Sequence, residues 1–155
     1  MKTRFAVLAA LVLAIASVAM ALDNPFTGTW KGNLVKSTNR TGNPPKSITN
    51  RFDLQQNVLT KVEDMVRADR TVMHREPTAI FDGKDHPVTD NPRVDAYQAS
   101  RIDSNILIIV LKKRGNKVRT DRLVVSKNGK TMTITRYEKN DQGQEIKYYD
   151  VYQKQ

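Results

Sequence analysis

The sequence predicts an all-β domain, an antiparallel up-and-down meander of about eight to nine strands. Three observations carry that reading. Between Tyr97 and Tyr152, short apolar runs rich in β-branched residues alternate with turn dipeptides at near-regular spacing. The segment "SITNRFDLQ" sets Ile48, Asn50, Phe52 and Leu54 on one side and Thr49, Arg51, Asp53 and Gln55 on the other, as a half-buried strand does. Past the N-terminus, no stretch sustains a convincing long helix. A meander of this size hides its edge strands by closing into a barrel or by folding into a two-sheet sandwich.

The chain opens on "MKTRFAVLAALVLAIASVAMA". Lys2 and Arg4 precede an unbroken apolar run, Phe5 to Ala16, and Ala19-Met20-Ala21 offers small side chains to a signal peptidase. Residues 1–21 therefore read as a secretory signal peptide, and 22–155 as a single mature domain beginning at Leu22. The competing reading is an uncleaved anchor, which has barely the length to span a bilayer. "NPFTGTWKGN" follows, and Gly28 to Val35 forms the first strand, with Trp30, Gly32 and Leu34 sharing a face. "STNRTGNPPK", Ser37 to Lys46, is a loop, because its proline pair has no place in a central strand.

After the strand around Phe52, residues 57–66 ("NVLTKVEDMV") fit a strand through Val58, Val62 and Val66. The alternative is a helical stripe that adds Leu59 and Met65. A turn at Asp69-Arg70 leads into a strand over 72–81, and "DGKDHPVTDNP", Asp82 to Pro92, reads as a loop. Five strands complete the meander, over 95–102, 105–113, 118–126, 130–138 and 145–153. The turns between them fall at Asp103 to Asn105, Gly115-Asn116, Asn128-Gly129 and Asn140 to Gly143. Asn128-Gly129 is the pair that a two-residue type I′ hairpin turn favours.

Composition narrows the class further. The chain has no cysteine. That excludes disulfides, thiol catalysis, thiolate metal sites and the lipid-attachment cysteine of a bacterial lipoprotein, and it points to a soluble product in a bacterial periplasm or exterior. Without Lys2 and Arg4, the formal charge of +10 becomes +8. Residues 22–100 hold 11 basic and 10 acidic side chains and residues 101–155 hold 13 and 6, so the last third carries nearly all of the excess.

"FTGTWK", Phe26 to Lys31, resembles the opening strand of the lipocalin and fatty-acid-binding families, together the calycins. The mature chain as a whole resembles a group of small secreted bacterial proteins of uncharacterised function, through "GTWKGNLVKS", "NPPKS", "FDGKDHPVTDNP", "VVSKNGKTMTIT" and "VYQKQ". The resemblance implies a lipocalin-like β-barrel in which Trp30 closes one end, with Asn24-Pro25 forming the short turn before it; otherwise Trp30 is an ordinary core residue of a sandwich. Two departures stand out. Fatty-acid-binding proteins carry two portal helices where this chain has the polar loop 37–46, and their carboxylate-binding Arg-x-Tyr is missing, since Arg136 and Tyr137 are adjacent. Thr120-Asp121-Arg122 copies a lipocalin loop motif, but inside a predicted strand.

Catalytic signatures are absent: there is no nucleophile elbow, no phosphate-cradling glycine loop and no helical histidine pair. His74 and His86 sit on different elements without metal-ligand spacing, and His86 with Asp82 and Asp85 reads as a solvated turn. The sequence thus implies a non-enzyme without cofactor or metal. Its first function is a secreted or periplasmic barrel binding a small apolar or amphipathic ligand, with Trp30, Phe52 and Tyr97 lining the cavity. Arg101 and Arg136, each in line with apolar side chains, are candidates to orient a polar end; snorkelling at the rim or stacking on Trp30 is the alternative. The second function is a filled barrel acting as an interaction module. "KKRGNKVR" gathers Lys112, Lys113, Arg114, Lys117 and Arg119 around a hairpin tip, an anion patch for a charged surface or protein partner. No aromatic side chains interleave it, so specific nucleic-acid binding is not expected, nor is stable membrane insertion after cleavage.

Overall fold

The computed structural model describes residues 24–38, 43–140 and 142–155, and these form eleven antiparallel strands and no helix. The expected signal peptide, residues 1–21, lies outside the described residues. The strands are β1 (Gly28–Gly32), β2 (Ser47–Gln55), β3 (Val58–Val66), β4 (Val72–Arg75), β5 (Thr78–Ile80) and β6 (Asp85–Pro87). They continue as β7 (Ala96–Asp103), β8 (Ile106–Lys113), β9 (Asn116–Val125), β10 (Thr131–Lys139) and β11 (Glu145–Lys154).

Neighbours follow the order β4-β3-β2-β1-β11-β10-β9-β8-β7-β6, so the first and last strands pair and the meander wraps into a barrel. Trp30 lies opposite Lys154 on one side and Asn50 on the other. β4 and β5 are one strand in register: Val66 faces Val72 and Val58 faces Ile80, with Glu76 and Pro77 interrupting the ladder between them. Pro77 has no N–H to contribute, yet its carbonyl still accepts from Lys61 N at 3.0 Å. After Phe81 the chain turns into β6, which pairs with β7 and not with β5. A seam therefore runs between β4 and β6, bridged where Ile80 N donates to the Tyr97 hydroxyl at 3.0 Å.

Several expectations shift in detail. The strand count rises because 72–81 divides around Pro77 and because the expected loop 82–92 contains β6, which is anchored by His86 stacking on Tyr97 at 5.2 Å. The first strand ends at Gly32 because Asn33 starts a turn, its Oδ1 accepting from Lys36 N at 3.1 Å. Within 57–66, Val58–Val66 is a strand, Asn57 belongs to the turn before it, and the helical alternative is not realised. The Asn128-Gly129 hairpin forms, but Ser126 N donates to Thr131 O across a longer loop in which only Gly129 has positive φ. The two-residue turn with both φ positive is Arg114-Gly115, one position before the expected Gly115-Asn116. A register shift in the β8–β9 ladder next to Leu111 accounts for that displacement.

Inward positions follow from the ladders. Phe26, Trp30, Phe52, Leu54, Leu59, Leu107, Leu123 and Met132 form one continuous apolar core. Strand directions place the turns at 24–27, 56–57, 81–84, 104–105 and 127–130 at one end. The segments 33–38, 43–46, 67–71, 88–95 and 114–115 lie at the other, hereafter the open end.

Candidate ligand-binding site

The closed end is built around the single tryptophan. Asn24 Oδ1 accepts from Phe26 N at 3.2 Å and Asn24 O from Thr27 N at 2.9 Å, the tight turn that brings Phe26 over the barrel. Trp30 is 0% exposed; its indole N–H donates to Phe26 O at 2.8 Å, and the Lys154 ammonium sits 5.2 Å from its ring. Gly28, at φ 129, lies under the Lys154 side chain, in a conformation and a space that a larger residue would not share. Trp30 is thus a structural plug at the closed end, with lysine rather than arginine stacked on it.

Toward the open end the inner face turns polar. β9 contributes Arg119 and Asp121, β10 contributes Arg136 and Glu138, and β11 contributes Tyr148, Asp150 and Tyr152, each set at alternate positions and therefore on one face. Arg136 pairs directly with Asp150, and its Nε lies 3.9 Å from Asp121. Arg119 pairs with Asp121 at 2.8 Å, and Lys61 with Glu63 at 2.5 Å. Burial works against the Arg136 charge, but Asp150 and Asp121 outweigh it and raise the guanidinium pKa. Burial, and then the Asp150 charge, push the Tyr152 hydroxyl upward, so it remains a neutral phenol. Asn50 is fully buried beside that hydroxyl, and neither group makes a hydrogen bond of good geometry.

Above this layer opens a cleft of about 120 Å³. Leu34, Pro44, Pro45, Ile48 and Met65 give it an apolar lining, and Ser37, Thr38, Asp150 and Tyr152 a polar one. The loop after β1 shapes it. Asn33 N and Thr38 N donate to Val151 O and Tyr149 O at 2.7 and 2.8 Å, so residues 34–36 loop out and Leu34 is delivered to the cleft. Ser37 Oγ, bonded to Asn33 O and Val151 N, and Thr38 Oγ1, bonded to the Tyr149 backbone, spend their hydrogen bonds holding that loop. Gly32 is required here for closeness: a methyl group on it would collide with Cγ2 of Ile48.

The residues singled out from sequence do not converge on one cavity. Trp30 and Phe52 are buried in the packed core, away from the cleft lining. Tyr97 stacks on His86 at the seam. Arg101 is exposed at the closed end and donates to Asp103 O and Ser104 O of its own turn, because β7 runs toward that end. Arg136 faces inward but is held by two carboxylates. The anion patch is also dispersed. Lys112 pairs with Asp85 at 2.6 Å, Lys113 lies 3.9 Å from Asp95, and Arg119 points into the barrel, which leaves Arg114 and Lys117 exposed at the tip. Asp121, Asp150 and Tyr152 were missed, although alternation in "KYYDVYQ" and "RTDRLVV" sets them on inward faces.

Among the described residues no group of histidine and acidic side chains is arranged to hold a metal. His74 is exposed, with Nδ1 2.6 Å from Asp64 and Nε2 2.9 Å from Glu76; hydrogen bonds to Asp64 first and Glu76 second raise its pKa. His86 lies 2.9 Å from Asp82 and, by that hydrogen bond, lowers the Asp82 pKa.

A Schistosoma mansoni fatty acid binding protein in complex with arachidonic acid matches this structure with a TM-score of 0.61 at 18% identity, over 84% of this chain and 96% of that one. The fold is that of a lipocalin-like up-and-down barrel. A mutant of the fluorescent protein UnaG matches with a TM-score of 0.57 at 12% identity, over 84% and 96% of the two chains. A zebrafish ileal bile acid-binding protein complexed with cholic acid matches at 0.53 and 13% identity, over 84% and 99%. At such identities the likeness is one of fold. No protein-family model and no curated protein sequence matches the chain. This lipocalin-like barrel carries its closing tryptophan at the end opposite its cleft.

Proposed function

We propose that this chain is an exported, non-enzymatic carrier that binds a small apolar or amphipathic molecule at the open end of its barrel. The observation that carries the reading is the largely apolar cleft between the loop after β1 and Tyr152, set above a charge-paired inner layer. Barrels of this fold that bind arachidonic and cholic acid support it by analogy. At about 120 Å³ the cleft is small. Sites for drug-sized ligands run to about 300–1,000 Å³, so this ligand is small or seats only its polar end. Export rests on the pattern of residues 1–21, and a periplasmic or extracellular product should begin at Leu22. Saturable displacement of an apolar fluorophore by short-chain amphiphiles tests the carrier reading, and failure of every amphiphile to displace it refutes that reading. Intact mass spectrometry of the exported fraction tests the start at Leu22.

A second reading has its own observation. Lys36, Lys46, Arg67, Arg70, Arg114 and Lys117 are exposed in or beside open-end segments, where the acids are fewer. Such a rim suits an anionic surface or an acidic protein partner. Binding to anionic vesicles or polyanions that fades with added salt favours this reading, and salt-independent binding opposes it.

A further inference from the structure

We infer that the ligand of the open-end cleft carries a hydrogen-bond-donating head, a hydroxyl or an amine, and that the cleft discriminates against a carboxylate head. The inference rests on the carrier reading and names the ligand class of that same site.

Among the lining residues the charged one is Asp150, an acid. Its Oδ2 is held by Arg136, while its Oδ1 makes no hydrogen bond among the described residues. An ionised carboxylate oxygen only accepts, so an incoming group satisfies it by donating. Tyr152 also lines the cleft, but its hydroxyl is buried beside Asn50, which does not, so Asp150 is the group with unused capacity that the cleft offers. Ser37 and Thr38, the other polar residues there, are already bonded to backbone.

The inner arginines do not reverse this preference. Arg136 is absent from the cleft lining and faces Asp150 and Asp121, and Arg119 is paired with Asp121. Both cations are thus committed to carboxylates of the inner layer. A ligand carboxylate would add an unmatched negative charge next to Asp150, and it would have to take Arg136 from partners already in contact. Desolvating an anion against Asp150, with the rim lysines Lys36 and Lys46 exposed to solvent and outside the lining, is strongly unfavourable. A neutral hydroxyl brings no such charge, and an ammonium group meets Asp150 with the favourable sign.

The test is calorimetric titration of the purified protein, at neutral pH, with n-octanol, octylamine and octanoate, which share a chain and differ in the head. The alcohol and the amine are expected to bind at least about tenfold more tightly than octanoate. An amine tighter than the alcohol assigns the contact to charge, and equal affinities assign it to hydrogen bonding; both support the inference. Asp150→Asn keeps the shape, removes the negative charge and releases Arg136 from one partner, so octanoate should gain on the other two. Tyr152→Phe, which removes only a hydroxyl buried beside Asn50, should leave the ranking of the three heads unchanged. Octanoate binding as tightly as octanol overturns the inference while leaving the carrier reading intact. So does an Asp150→Asn variant that changes all three affinities by the same factor, because a merely structural role would do that. Binding by none of the three overturns the inference together with the carrier reading.

Discussion

Replacing Trp30 with alanine should be among the most destabilising single changes in this barrel. The side chain is 0% exposed, and a buried indole removes on the order of 200 Å² from water, worth about 5 kcal/mol as an upper figure. Partial collapse around the cavity leaves an expected loss of about 3–5 kcal/mol. Two smaller contributions can be separated from that packing term. Trp30→Phe keeps an aromatic ring but strands the Phe26 carbonyl, which accepts the indole N–H at 2.8 Å in a fully buried setting; that costs about 1–3 kcal/mol. Lys154→Met keeps the stem over the ring but removes the ammonium, which sits 5.2 Å from the ring and also donates to Pro25 O at 3.3 Å; the ring contact alone accounts for about 0.5–1 kcal/mol. The assay is urea unfolding followed by far-ultraviolet circular dichroism, because Trp30 is the chain's single tryptophan and its removal silences indole fluorescence. A Trp30→Ala variant within about 1 kcal/mol of the parent would refute the plug. Equal losses for Trp30→Phe and Trp30→Ala would assign the whole effect to the hydrogen bond and refute the packing term.

Gly32→Ala, although conservative in size, should lower stability by about 1–3 kcal/mol because the added methyl meets Ile48; a neutral result in the same unfolding assay would mean that the β1–β2 spacing yields. His74 should titrate above the ordinary histidine value of 6.5, since Asp64 and Glu76 both accept from its protonated ring. A folded-state pKa raised in this way contributes stability that is complete below the unfolded value near 6.5 and is lost as pH rises through the higher folded value. His74→Gln should remove that pH dependence, and proton NMR of the imidazole reads the midpoint directly. For any polyanion binding, neutralising Arg114 and Lys117 should flatten the salt slope more than neutralising Lys112 and Lys113, whose charges are shared with Asp85 and Asp95. A reversed ranking would move the contact off the hairpin tip.

The sequence by itself determined the class of this fold and most of its strands, because the signals for both are local. Alternation in "SITNRFDLQ" and in the runs from Ala96 onward is set by the two-residue period of a strand, and every neighbour it needs is in the same segment. The Gly28-x-Trp30 step stands out in the sequence, but what the glycines make room for does not: Gly28 lies beneath Lys154 and nearby Gly32 beneath Ile48, both on other strands. Turn chemistry was legible only to within a residue: the register shift beside Leu111 moved one turn to Arg114-Gly115, and no local pattern announces such a shift. Which side chains share a site was decided by tertiary structure alone. Arg101 and Arg136 look alike in sequence, each ending an apolar face. Yet β7 carries Arg101 outward to solvent at the closed end, whereas β10 carries Arg136 toward the open end between Asp121 of β9 and Asp150 of β11. Those partners lie 15 and 14 residues away along the chain and come into contact only through the pairing of three strands. The cleft is similarly non-local, since Leu34, Ile48, Met65 and Asp150 meet only once the last strand has docked against the first and the barrel has closed.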